Sequence, residues 1–266
     1  MTIHHAAVID KKAELHSTVT VGPYAVIGPD VKIGPQTKIE PHAVVSGPTT
    51  IGANNLIGSF ATVGGAPQDL SYKGEPTELI IGDNNQIREY ASIHRGTPNG
   101  NFKTVIGNNN LLMAYIHVAH DCVIGDHVIM ANVATLAGHV QVGDRASIGG
   151  LVAVHQFCRI GPYSYIGGIS GLGLDVPPYV IVAGIRDRTR VSGINKVGLR
   201  RNGFSRETIS KLDSVFRIIY RSPNLLLKDA LAMAKDEFSD CQEVIEMIDF
   251  FESSKRGVIR RTSEDG

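Results

Sequence analysis

The chain has 266 residues, 42% of them apolar, with no tryptophan, 29 glycines and a formal charge of zero. Zero net charge argues against a surface built to coat nucleic acid or a membrane, and the apolar content is ample for a core. Three cysteines without CxxC spacing (Cys122, Cys158, Cys241) read as reduced thiols of a cytosolic protein rather than a structural zinc site.

The N-terminus lacks the apolar run of a signal peptide, and no window approaches about 18 uninterrupted apolar residues, so neither leader nor membrane span is expected. From Ile3 an aliphatic residue recurs at every sixth position: Ile9, Leu15, Val21, Ile27, Ile33, Ile39, Val45, Ile51, Ile57, Val63. Neither a helix nor a strand period produces that run. The fourth residue after each is commonly small, as at Ala7, Ala13, Ala25, Ala43 and Ala61. A strict short period means one unit stacked on itself, each copy burying its face against the next. The reading is a β-solenoid whose sides are six residues long, three sides making a coil of about 18 residues and coils stacking at about 4.8 Å.

Two polar loops interrupt the register, Gly64–Ile80 and Arg95–Val105, and in repeat proteins such insertions often line a binding face. The period then runs unbroken from Ile106 through Leu112, Val118, Ile124, Met130, Leu136, Val142, Ile148, Val154, Ile160 and Ile166 to Leu172. Glycine often follows the aliphatic residue (Gly125, Gly143, Gly149, Gly161, Gly167), as a chain bending at every sixth residue would need. Asp175-Val-Pro-Pro-Tyr179 marks the exit, since consecutive prolines cannot continue a paired strand. Helical spacing follows: Ile209, Leu212, Phe216 and Ile219 after a Ser205 cap, with Ser222-Pro223 as the stop; Leu227 to Phe238 after Asn224; and Val244 to Phe251. A basic tail (Lys255, Arg256, Arg260, Arg261) reads as a solvated end. The expected organisation is a β-helix over 1–183, carrying loops 64–80 and 95–105, and a helical domain over 184–266.

Five of the ten histidines crowd one region: His117, His120, His127, His139 and His155. A coil of about 18 residues stacks His120, Gly138 and Gln156 in one column and Asp121, His139 and Phe157 in the next. A histidine beside a carboxylate and over a glycine has the parts of acyl-transfer catalysis: a base near neutral pH, a group to orient it and an N–H for an oxyanion. Two alternatives stand beside this. His117, His120 and His139 could ligate zinc, in the manner of the γ-class carbonic anhydrases, or the solenoid could be a non-catalytic binding surface. Cys122 occupies a small inward slot and reads as core.

The strings QDL-x-Y-x-GEPT (Gln68–Thr77), IHRGT (Ile93–Thr97), HVAHDC (His117–Cys122), LAGHV (Leu136–Val140), AVHQFC (Ala153–Cys158), DVPPYVI (Asp175–Ile181) and GFSRE (Gly203–Glu207) resemble the UDP-N-acetylglucosamine O-acyltransferases of lipid A biosynthesis. The resemblance spans nearly the whole chain. It implies a left-handed parallel β-helix followed by C-terminal helices, a cytoplasmic homotrimer with sites between neighbours, and no cofactor or metal.

The resemblance further implies that His120 takes the proton of the glucosamine 3-hydroxyl as that oxygen attacks a 3-hydroxyacyl thioester on acyl carrier protein. Asp121 would hold the imidazole and the Gly138 N–H would form the oxyanion hole. Asp69, His117, His139, His155 and Gln156 match positions contacting sugar nucleotide or acyl group, and Asn195 and Arg201 match nucleotide contacts from a neighbour. Gly168 matches the position closing the acyl pocket, where glycine leaves the pocket long. Arg159, Lys196, Arg200, Arg201, Arg217 and Arg221 are candidates for docking the acidic carrier. Two departures stand out: Ser71, where the family often has lysine, and a longer, more basic Ile185–Ile194. The N-acyltransferase of the same pathway carries an additional N-terminal domain, for which repeats starting at Ile3 leave no room.

Overall fold

The computed structural model describes residues 2–185, 188–222 and 224–260. Pro223 and Arg261, and Arg186 and Asp187 of the basic segment, lie outside them. Among the described residues the chain visits sheets of eleven, nine and eight strands, here A, B and C, in rotation as far as Gly171–Leu172, and its last two strands both join sheet A. Neighbouring strands of the helix run parallel, with Val118 opposite Leu136 and Leu136 opposite Val154. This is the β-solenoid expected from the hexads, in the form the family resemblance implied, a left-handed parallel β-helix, an exception to the right-handed crossover rule.

The aliphatic residue of each hexad points into the prism. From Ile106 to Leu172 none of the twelve is more than 3% exposed. Ile3, by contrast, is 41% exposed, because no coil lies beneath the first one. The two insertions lengthen their coils: Thr62 pairs with Ser92, and Ser92 with His117.

The corners turn differently from the sequence reading. The glycines after the strands do not supply the bend; non-glycine residues further along each hexad do, with φ between 56° and 68° from Tyr24 through Asp121 and His139 to Tyr179. The glycines are needed for close approach instead. A Cβ on Gly143 would sit 2.6 Å from the Pro162 nitrogen of the next coil.

The coil also outlasts the prolines. Val176 bridges Ile160, and Val180–Ala183 pairs parallel with the strand holding Tyr165 before turning antiparallel to Arg190–Ile194. Both prolines sit at corners, where no ladder bond is lost. Four helices follow: α1 (Lys196–Arg201), α2 (Arg206–Tyr220), α3 (Leu227–Glu237) and α4 (Gln242–Glu252). Ser205 caps α2 by accepting from the Thr208 N–H, and Ile209, Leu212, Phe216 and Ile219 are buried as their spacing predicts. The α3 helix starts after Leu226 with no side-chain cap, so Asn224 plays no capping role. The short α1 was not expected; Asn195 caps it.

Candidate active site

The B–C edge of the prism gathers His117, His120, His139 and His155, because each coil turns there from a sheet B strand such as that carrying Val118 into a sheet C strand such as that carrying Ile124, whereas His127 falls on the A–C edge. His120 and Gly138 are stacked as the column arithmetic requires. A Cβ on Gly138 would fall 2.6 Å from His120 Cε1, so only glycine lets the imidazole lie over it. Among the described residues the Gly138 N–H donates to no protein acceptor.

Asp121 is fully buried beside His120. Its oxygens take the Thr97 N–H at 3.1 Å, the Thr97 hydroxyl at 2.6 Å, the Asn101 N–H at 3.0 Å and His120 Nδ1 at 2.9 Å. Burial alone would raise this carboxyl; the hydrogen bonds from Thr97 and His120 outweigh it and hold the group below the usual carboxylate range. An ionised carboxylate only accepts, so His120 Nδ1 carries the proton of this bond, and in the neutral ring Nε2 is the unprotonated nitrogen.

His139 approaches Asp121 at 3.9 Å, meets His120 edge-on and stacks on Phe157. Burial keeps its imidazole below the ordinary value. His117 turns its Nδ1 to the Ser92 hydroxyl at 3.2 Å and packs edge-on against His94. Of the zinc set, His117 therefore stays apart, while His120, His139 and Asp121 bring ligand atoms within 4.8 Å of one another. The Asp121 oxygens are, however, already engaged by four donors, an arrangement suited to proton handling. Cys122 is core, its thiol pushed up to about 12 by burial, which rules it out as a nucleophile.

The first loop brings Asp69 close enough for His120 and His139 to act on its charge, although hydrogen bonds from Ser71 contribute most to lowering its carboxyl. Ser71, the departure from the family pattern, donates its hydroxyl to Asp69 at 2.8 Å and accepts from Asn99 at 2.9 Å. It thereby joins the two insertions. Three residues at this edge escaped the sequence reading: Thr97, His94 and Arg256. Arg256 is no solvated end. It donates to His155 Nδ1 at 2.8 Å and to the Gly173 carbonyl at 2.7 Å. A cavity of about 580 Å³ runs from Asp121 and His139 past Phe157 to Lys255 and Arg256.

A family model described as UDP N-acetylglucosamine O-acyltransferase, domain 2, matches residues 175–259, and the bacterial transferase hexapeptide model matches 30–65 and 103–138. A Halorhodospira halophila protein named acyl-[acyl-carrier-protein]–UDP-N-acetylglucosamine O-acyltransferase is 53% identical over 97% of this chain and 99% of its own. The chain belongs to this acyltransferase family. The solved UDP-N-acetylglucosamine O-acyltransferase of Moraxella catarrhalis superposes with a TM-score of 0.94 at 44% identity, covering 98% of this chain and 100% of that one. The Francisella novicida acyltransferase gives 0.95 at 38% identity, with 99% and 95% covered.

In this acyltransferase chain one edge gathers Asp69, His117, His120, Asp121, Gly138, His139, His155 and Gln156, but not the remaining three candidates. Asn195 and Arg201 line a second cavity of about 650 Å³ on the A–C edge, with Arg145, Tyr163 and Tyr165. The Asn195 amide is engaged there, accepting from Gly198 and donating to the Tyr163 carbonyl at 2.9 Å. Gly168 sits on the third edge, A–B, over Gly150. Of the docking cations, Arg159 is tied to Asp175 and the Phe250 carbonyl, and Lys196 and Arg217 share Asp213. No described helix is long and apolar enough to cross a membrane.

Proposed function

We propose that this enzyme transfers a 3-hydroxyacyl chain from acyl carrier protein to the 3-hydroxyl of UDP-N-acetylglucosamine in the cytoplasm, the first step of lipid A biosynthesis. The observation that carries the reading is the Asp121–His120–Gly138 arrangement in a chain of this family. His120 Nε2 removes the hydroxyl proton as the oxygen attacks the thioester carbonyl. Asp121 keeps Nδ1 protonated and stabilises the imidazolium. The Gly138 N–H donates a hydrogen bond to the developing oxyanion. Collapse of the intermediate expels the carrier thiolate, which regains the proton from the imidazolium, and the ester remains on the sugar.

A homotrimer completes the site. Asn195 and Arg201 cannot serve their own chain's His120, because they occupy another edge of the prism. A threefold arrangement that sets the B–C edge of one chain against the A–C edge of the next would supply them.

Wild type and His120→Ala, mixed with UDP-N-acetylglucosamine and 3-hydroxyacyl carrier proteins of graded chain length, test the chemistry by mass spectrometry of the acylated sugar nucleotide. Product from wild type, with at least a 10²-fold loss in the variant at unchanged melting temperature, is expected. Full activity in a folded His120→Ala trimer would remove the base assignment. Loss of wild-type activity on chelation, restored by stoichiometric zinc, would favour the metal reading.

A further inference from the structure

We propose that residues 95–102 of the second insertion form a clamp for the Asp121 carboxylate and that Thr97 is the positioning residue that aims it at His120. This rests on the reading of His120 as the base. The insertion lengthens one coil and contributes no strand of its own over that stretch. What it contributes is donors. Thr97 is fully buried, and its N–H bridges both carboxylate oxygens at 3.1 Å while its hydroxyl reaches Oδ2 at 2.6 Å. The Asn101 N–H takes Oδ1 at 3.0 Å. Behind the carboxylate, the Asp121 N–H donates to the Thr104 hydroxyl at 2.9 Å, so both ends of the residue are held.

The loop is shaped around this contact. The Gly100 and Phe102 N–H groups both donate to the Thr97 carbonyl at 3.1 Å, folding the loop tightly over Thr97. Gly100 itself faces the carboxyl so closely that a Cβ would collide with it. Oδ2 is the oxygen that accepts from His120 Nδ1, and it is also the one gripped by the Thr97 hydroxyl. Removing that hydroxyl frees the carboxylate to rotate and leaves the imidazole without a fixed partner. A purely structural hub would need the same burial but not two donors from one residue converging on the oxygen that meets the base.

The experiment compares Thr97→Val, nearly isosteric but without the hydroxyl, with Thr97→Ser, which keeps it. Gly100→Ala deletes no donor but drives a methyl into the carboxylate. Thr97→Val and Gly100→Ala should each lower kcat about 10- to 100-fold, the scale seen when a group orienting a functional histidine is removed, with KM for both substrates within about twofold. Thr97→Ser should stay within about threefold of wild type. Selectively ¹³C-labelled protein gives a readout that needs no turnover: the Asp121 carboxyl should titrate at higher pH in Thr97→Val and at the wild-type position in Thr97→Ser. Equal losses in Val and Ser, a loss carried by KM alone, or an unmoved Asp121 titration in Thr97→Val would overturn the clamp. A wild-type enzyme inactive with every donor would instead overturn the proposed reaction, and the Asp121 titration would still decide the clamp.

Discussion

Two histidines on the same edge present opposite faces because their Nδ1 atoms have opposite partners. His120 Nδ1 meets a carboxylate, which can only accept; His155 Nδ1 meets the Arg256 guanidinium, which can only donate. The Gln156 carbonyl also lies 3.2 Å from His155 Nδ1, but the guanidinium is nearer and fully charged, so Nδ1 accepts. In the neutral ring His120 therefore has a bare Nε2 and His155 an Nε2–H. The glycine beneath His120 is held to its identity just as tightly. In Gly138→Ala the N–H survives, yet the methyl would press 2.6 Å from His120 Cε1 and push the ring out of line. Single-turnover measurements should show acyl transfer slowed about 10²-fold with substrate binding retained; a wild-type rate would show that the ring does not rely on the column.

At the scale of elements, sheet B carries a second consequence of burial. Burial, with the charges of His117, His120 and Arg95 adding to it, lowers His94 to about 4, and its Nδ1 has no partner among the described residues. An unfolded chain takes up that proton near the ordinary value of 6.5. Acid thus favours the unfolded state: stability is full above about 6.5, falls as the pH drops, and stops falling on this account near 4. Between pH 7.5 and 4.5 wild type should lose up to about 3 kcal/mol more than His94→Gln in urea unfolding at fixed subunit concentration. Equal losses would mean that His94 titrates normally.

The hexads, the three sheets and the His120–Gly138 column were legible in the sequence because each depends only on a constant step along the chain. His94 was not, since the second insertion lengthens the coil that places it beneath Ala119, and counting by a fixed step misses it. Arg256 was hidden for a different reason. Val258 pairs with Asp175, and the Asp175 carboxylate accepts from Ser254, so the chain end returns to the edge only through tertiary contacts. The corner conformations were misassigned because glycine serves two purposes, left-handed φ and close approach, and the periodicity alone does not separate them.

Across the whole molecule, the A–B edge carries a ladder of rings, Tyr24, His42, Phe60, Tyr90 and Tyr115, with centroids 4.7 to 5.1 Å apart. Val133, Leu151 and Ile169 continue it, each at least 41% exposed. So long an apolar stripe is costly in water. In the proposed trimer, pairing the B–C edge of one chain with the A–C edge of the next leaves this third edge facing the axis, where three copies would cover one another. Sheet C would then face solvent over its first coils, consistent with the exposed pair Glu14 and Lys32 there.

The central claim is that one working site takes His120 from one chain and Arg201 from another. Co-expression of differently tagged His120→Ala and Arg201→Ala chains, followed by purification of mixed trimers and assay of acyl transfer, tests it most directly. Each variant alone should be inactive or nearly so, while the purified mixed trimers should recover about one third of the wild-type sites, since each has one junction at which both intact edges meet. Mixed trimers no more active than the two parents would contradict a shared site and return Arg201 to a role within its own chain.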